Sequence, residues 1–145
     1  MTTAYEQLCE RFARLANVNG AAAVLHWDAA TVMPTGGAGA RAEQLATLSL
    51  VAHEMLCHPE IADLLAWAES QAAALGRWET ANLREMRAKW SHATALSGDL
   101  VEALSRSGSA CEMVWRAARA DDDFTALAPA LTAVVNLVRQ AATAK

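Results

Sequence analysis

The chain has 145 residues, a formal net charge of −4 and 54% hydrophobic residues, among which alanine is the most frequent. This length suits one domain with an enclosed core. The acidic net charge and the lack of a clustered basic face argue against nucleic acid as a partner. No apolar run approaches the roughly 18 residues that a membrane span needs, so no membrane partner is expected. Because alanine is the best helix former and glycines and prolines are few, the composition predicts an all-α protein.

Cysteine usage and the first residues bear on the compartment. Cys9, Cys57 and Cys111 are odd in number, far apart and without CxxC spacing, which indicates reduced thiols that take part in helix packing. The opening residues, MTTAYEQLCERF, lack the basic and apolar regions of a signal peptide. A cytoplasmic location is therefore expected.

The first predicted helix begins near Thr3. Its apolar stripe has 3-4-3 spacing and consists of Tyr5, Leu8, Phe12 and Leu15. Two asparagines and a glycine within residues 17–20 weaken this pattern and allow a kink or short break there, after which the helix resumes. It should end in the segment MPTGGAG, residues 33–39, where a proline and three glycines interrupt the helical pattern.

Two further helices should follow this turn. The second carries an apolar face made of Leu45, Leu48, Ala52 and Met55. Pro59 should end it, because the residue before a proline disfavours the α region, and proline also suits the first turn of a new helix. The third helix is therefore predicted to begin at Pro59 and to be closed by Gly76.

The rest of the chain predicts three more helices. Trp78 opens the fourth, and the segment ALSGDL separates it from the fifth, with Ser97 as N-cap and Asp99 as a first-turn acid. The segment ADDDF, residues 120–124, repeats this capping pattern before the last helix. The expected fold is a single all-α domain over residues 1–145, with about six helices that form a bundle or stacked hairpins in need of a partner surface.

The segment VAHEMLCHPE, residues 51–60, resembles half of a zinc-peptidase motif. In HExxH the two histidines lie four residues apart on a helix, so both rings reach one metal. His58 lies five residues after His53, and five residues turn a helix by about 140°, which directs the two rings apart. Cys57 is four residues after His53, but two ligands do not make a zinc site. The sequence therefore predicts neither a metal site nor a catalytic residue in this segment.

Three other features have structural interpretations. His26 is expected to be a core or interface residue, and the run Asp121–Asp123 a solvated cap rather than a cation site. The five tryptophans lie at helical spacing, which favours core positions over a ligand groove. They are Trp27, Trp67, Trp78, Trp90 and Trp115.

Several segments, taken in order, resemble the carboxypeptidase Taq family of metallocarboxypeptidases. The first, VLHWDAATVMPTGGAGARAEQLATLSLVAHE, contains Trp-Asp, Thr-x-Met-Pro, a Gly-Gly turn and Arg-Ala-Glu-Gln; WETANLREMRAKWSHATALSGDLVEAL and WRAARADDDFTALAPAL follow. The positions that carry the signature are Trp27, Asp28, Thr31, Met33, Pro34, Arg41, Glu43 and Gln44. The chain departs from the pattern at His26, Thr35 and Ala130. The resemblance covers essentially the whole chain but only about the first third of a full-length member.

The resemblance implies a zinc- or cobalt-dependent exopeptidase that removes residues from peptide C-termini. Such enzymes are helical, commonly homodimeric, and hold their metal with an HExxH helix and a downstream Glu. Those elements lie beyond the matched region, so the resemblance implies no cofactor and no peptide substrate for this chain alone. The expectation is the N-terminal, groove-covering part of such an enzyme, inactive by itself.

Two other readings are left open. The first is a free-standing helical module that binds a protein or peptide and forms a homo-oligomer through an exposed apolar helix face. The second is a metal-binding helical bundle, which would require stoichiometric zinc or iron.

Overall fold

The computed structural model describes residues 2–145, apart from the side chain of Thr35. The helices are α1 (Ala4–Thr31), α2 (Ala38–Leu56), α3 (Pro59–Ser70), α4 (Arg77–Thr94), α5 (Gly98–Ala120) and α6 (Phe124–Ala144). Two short 3-10 turns lie at Thr35–Gly37 and Ala72–Ala74. The described part of the chain contains no strand, so the predicted all-α fold with six helices is confirmed.

The first helix begins and ends close to where the sequence predicts. The Thr3 hydroxyl accepts from the Glu6 N–H at 3.2 Å, and the Glu6 carboxylate accepts from the Thr3 N–H at 2.7 Å, which is a capping box. The helix then runs without interruption through residues 17–20 to Thr31, so no break occurs there. A glycine inside a helix costs only about 1 kcal/mol, which the packing of α1 against both α2 and α3 offsets.

The ends of α3 differ in how well local rules predict them. Pro59 occupies its first turn as expected, and the ring of His58 accepts from the Glu60 N–H at 3.4 Å. The helix ends at Ser70 rather than at Gly76, because the following residues tighten into a 3-10 turn. Gly76 instead precedes α4, where its N–H donates to the Glu79 carboxylate at 2.6 Å.

Both predicted caps in the second half of the chain are present. The Ser97 hydroxyl accepts from the Leu100 N–H at 3.3 Å, and the Asp123 carboxylate accepts from the Ala126 N–H at 3.0 Å. Between α5 and α6 the chain reverses at Asp122, whose φ of 53° is left-handed. Aspartate tolerates this region better than most residues, since its short polar side chain bonds locally.

Helices α1, α3 and α4 enclose a core, called the closed core below. Its buried members are Ala4, Leu8, Ile61, Leu64, Leu65, Ala68, Leu83 and Met86. Leu8 and Leu65 are fully buried, and Tyr5 and Phe12 cover the cluster at its edge. Each of the three helices contributes one apolar stripe, and the three stripes bury one another.

The other three helices form a layer, called the open layer below. Helix α6 packs on α5, α5 packs on α2, and α2 packs on α1. Only Leu45, Ala46 and Ala118 are buried in this layer, and α6 has no buried residue. Since each helix has a neighbour on only part of its circumference, large apolar side chains stay exposed here.

The expectation that the tryptophans are core residues is wrong. Four of them are exposed, with Trp78 at 87% and Trp27 at 61%, and Trp90 alone is half-buried at the edge of the closed core. The Arg87 guanidinium lies 5.0 Å from the Trp90 ring and that of Arg119 lies 5.1 Å from the Trp115 ring. Helical spacing placed these rings on helices correctly, but it carries no information about whether another helix covers them.

Candidate functional site at the α1–α2 corner

The signature residues surround the turn between α1 and α2. At the end of α1 the Val32 and Met33 N–H groups both donate to the Asp28 carbonyl, at 3.1 and 3.0 Å. The Thr31 hydroxyl donates to the Trp27 carbonyl at 2.7 Å, and Pro34 cannot continue the helix. The Trp-Asp and Thr-x-Met-Pro residues therefore shape the C-terminal end of α1.

The Gly-Gly turn brings the chain back towards α2. The Gly37 N–H donates to the Pro34 carbonyl at 2.8 Å. A Cβ at Gly37 would lie 3.1 Å from Cγ of Met33, closer than ordinary van der Waals contact. The absence of a side chain at Gly37 thus makes room for Met33.

An ion pair joins the two helices across the corner. Arg41 Nη1 lies 2.7 Å from Asp28 Oδ2 and also donates to the Leu25 carbonyl at 3.2 Å. The side chains are only 19% and 27% exposed, respectively. Within residues 2–145, Asp28 Oδ2 and Arg41 Nε find no hydrogen-bond partner of good geometry, so the contact is mainly electrostatic. Its shielding from water makes the attraction stronger than that of an exposed pair.

The remaining signature residues lie on the surface. Trp27 and Pro34 are exposed, as are Glu43 and Gln44 on α2. The Glu43 carboxylate pairs with Arg106 of α5, which also binds Glu102 at 2.6 Å. The structure therefore brings Asp28, Met33 and Arg41 together as a clamp and leaves the other signature side chains around its rim.

The histidines of residues 51–60 lie on different elements. His53 is inside α2, which ends at Leu56, while His58 caps α3. The Cys57 sulfur lies 3.7 Å from both ring nitrogens of His53, and burial raises the pKa of the Cys57 thiol, which disfavours the thiolate that binds metals. No group of three or more His, Cys, Asp or Glu residues that suits a metal ion occurs in residues 2–145, so the residues present do not fit a catalytic metal. None of the helices described is long and apolar enough to cross a membrane.

A groove that the sequence did not predict lies between α1, α2 and α4. It has a volume of about 650 Å³ and an apolar floor that includes Phe12, Leu15 and Leu56. His53 and His92 also line it. No sequence signal identifies this groove, because its residues come from three helices that are far apart in the chain.

Comparison with known proteins assigns the family. Residues 7–145 match the family model of the carboxypeptidase Taq (M32) metallopeptidases, and the chain belongs to this family. Thermostable carboxypeptidase 1 of Pyrococcus furiosus is 28% identical over 137 residues, which cover 94% of this chain and 27% of that protein. The Thermus thermophilus protein of the same name is 30% identical over 141 residues, covering 96% and 28%.

Solved structures agree with this assignment. Metallocarboxypeptidase 1 of Trypanosoma cruzi superposes with a TM-score of 0.76 at 30% identity, over 97% of this chain and 28% of that one. The crystal structure of BsuCP gives a TM-score of 0.92 at 18% identity, over the same shares, and shows the likeness of the fold alone. The chain thus spans about 28% of the length of the relatives that it matches.

Proposed function

We propose that this chain supplies the N-terminal helical part of an M32 metallocarboxypeptidase, which releases C-terminal residues from peptides, and that it is inactive by itself. The observation that carries the proposal is the match of residues 7–145 to a metallopeptidase family whose relatives are over three times as long. The activity, the peptide substrate and the zinc or cobalt ion belong to the whole enzyme in this proposal.

The arrangement of the metal-ligating side chains supports the inactivity of the isolated chain. A catalytic zinc needs three protein ligands and an open position for water. His53 and Cys57 provide two neighbouring donor atoms, and His58 belongs to the next helix. A ligand set would therefore have to come from other parts of an enzyme.

The clamp at the α1–α2 corner supports a structural role for the signature. Asp28 of α1 and Arg41 of α2 form an ion pair between the two helices, and the exposed Trp27 ring lies on the same turn of α1 as Asp28. In the proposal, this corner packs against the rest of the enzyme through Trp27, Asp28, Thr31, Met33 and Pro34.

An assay of the isolated chain tests the inactivity. The 145-residue chain is incubated with zinc or cobalt and an N-blocked dipeptide, with the Thermus thermophilus relative as positive control. We expect no metal-dependent release of the C-terminal residue from the chain alone. Release above the metal-free control would overturn this part of the proposal.

A chimera tests the structural role. Residues 7–145 replace the matched part of the Pyrococcus furiosus relative, and metal content and peptide release are measured together. We expect a folded, metal-loaded chimera that retains activity. A folded chimera that binds metal but releases no residue would contradict the proposal.

The exposed apolar side chains of α5 and α6 favour a second candidate, a free-standing module that binds a protein or peptide. They include Met113, Trp115 and Phe124, at 38%, 41% and 68% exposure. Under this alternative the chain binds a partner through these helices, and the chimera stays inactive.

A further inference from the structure

We draw no further inference here: the strongest candidate, the apolar groove between α1, α2 and α4 that His53, Lys89 and His92 line, is an open surface of a chain that spans about 28% of the length of the relatives it matches, and nothing in the structure shows what covers it.

Discussion

The closed core and the open layer are built from similar apolar helices but bury them differently. In the closed core α1, α3 and α4 meet, and residues such as Leu8 and Leu65 are fully buried. In the open layer α6 is as rich in leucine and valine, yet none of its residues is buried. The number of neighbouring helices, rather than the apolar content of a helix, decides how much apolar surface is buried. That buried area sets how much a residue contributes to the free energy of unfolding.

The largest expected difference between the two regions is in leucine-to-alanine substitutions. Leu65→Ala removes a fully buried side chain and should lower the free energy of unfolding by about 2–5 kcal/mol. Leu131→Ala removes the same atoms from a side chain that is 39% exposed in the open layer, and should cost less than about 1 kcal/mol in the monomer. Urea unfolding at low protein concentration measures both. Equal losses would contradict the division into two regions.

A substitution in the clamp measures how much the contact between α1 and α2 contributes to the stability of the open layer. Asp28→Asn removes the charge that Arg41 faces in a mostly shielded position, so the unfolding free energy should fall by about 1–2 kcal/mol, between the values for exposed and buried pairs. Asp63→Asn, at an exposed position of α3, is the matched control. Urea unfolding monitored by tryptophan fluorescence is suitable, because Trp27 lies next to the clamp. Identical stabilities of the two variants would show that the pair does not hold the corner.

The cap of α5 tests the connection between the regions. Ser97 accepts from the Leu100 N–H at the point where the chain leaves α4 for α5. Ser97→Ala should lower the unfolding free energy by about 1 kcal/mol, while Ser91→Ala, exposed within α4, should have little effect. Thermal unfolding by circular dichroism measures both. An equal loss of unfolding free energy in Ser91→Ala and Ser97→Ala would contradict a capping effect.

The smallest expected effect concerns the ion pair between α3 and α4. Arg87 donates twice to the Glu69 carboxylate, at 2.7 and 2.6 Å, and these bonds lower the pKa of Glu69. The pair therefore stabilises the folded chain above the unfolded pKa of Glu69, and this contribution is lost as pH falls through the lower folded pKa. Because Glu69 is 42% exposed, the contribution should stay below about 1 kcal/mol.

A comparison of Glu69→Gln with the native chain isolates this contribution. Urea unfolding at pH 7 and at pH 3 should show a stability difference between the two proteins at pH 7 that shrinks at pH 3. A difference that grows on acidification would reverse the assigned sign.

Features that depend on a few neighbouring residues were predicted well. The start of α1 near Thr3, the cap at Ser97, the acidic cap before α6 and the start of α3 at Pro59 follow from hydrogen bonds and dihedral limits within one turn. The kink or short break that the sequence allowed near residues 17–20 does not occur, because packing on two sides keeps a weak helical segment intact. The closure of α3 at Gly76 was also wrong, since the chain tightens earlier and uses Gly76 to begin α4.

The candidate site was predicted only in part. The signature residues were identified as a set, but their order in the sequence did not show that Asp28 and Arg41 form a pair while Trp27 stays exposed. No sequence pattern indicated the groove that His53 and His92 line. These features depend on which helices face each other, and that is decided by contacts between residues far apart in the chain.

The sequence by itself determined the helical fold class, the caps and the family, because helix propensity and capping are local properties and the family signature lies in the order of residues along the chain. Only the tertiary structure decided which apolar faces are covered. Burial depends on the number and position of neighbouring helices, so similar helical periodicity leaves Leu65 fully buried in the closed core and Leu131 of α6 39% exposed.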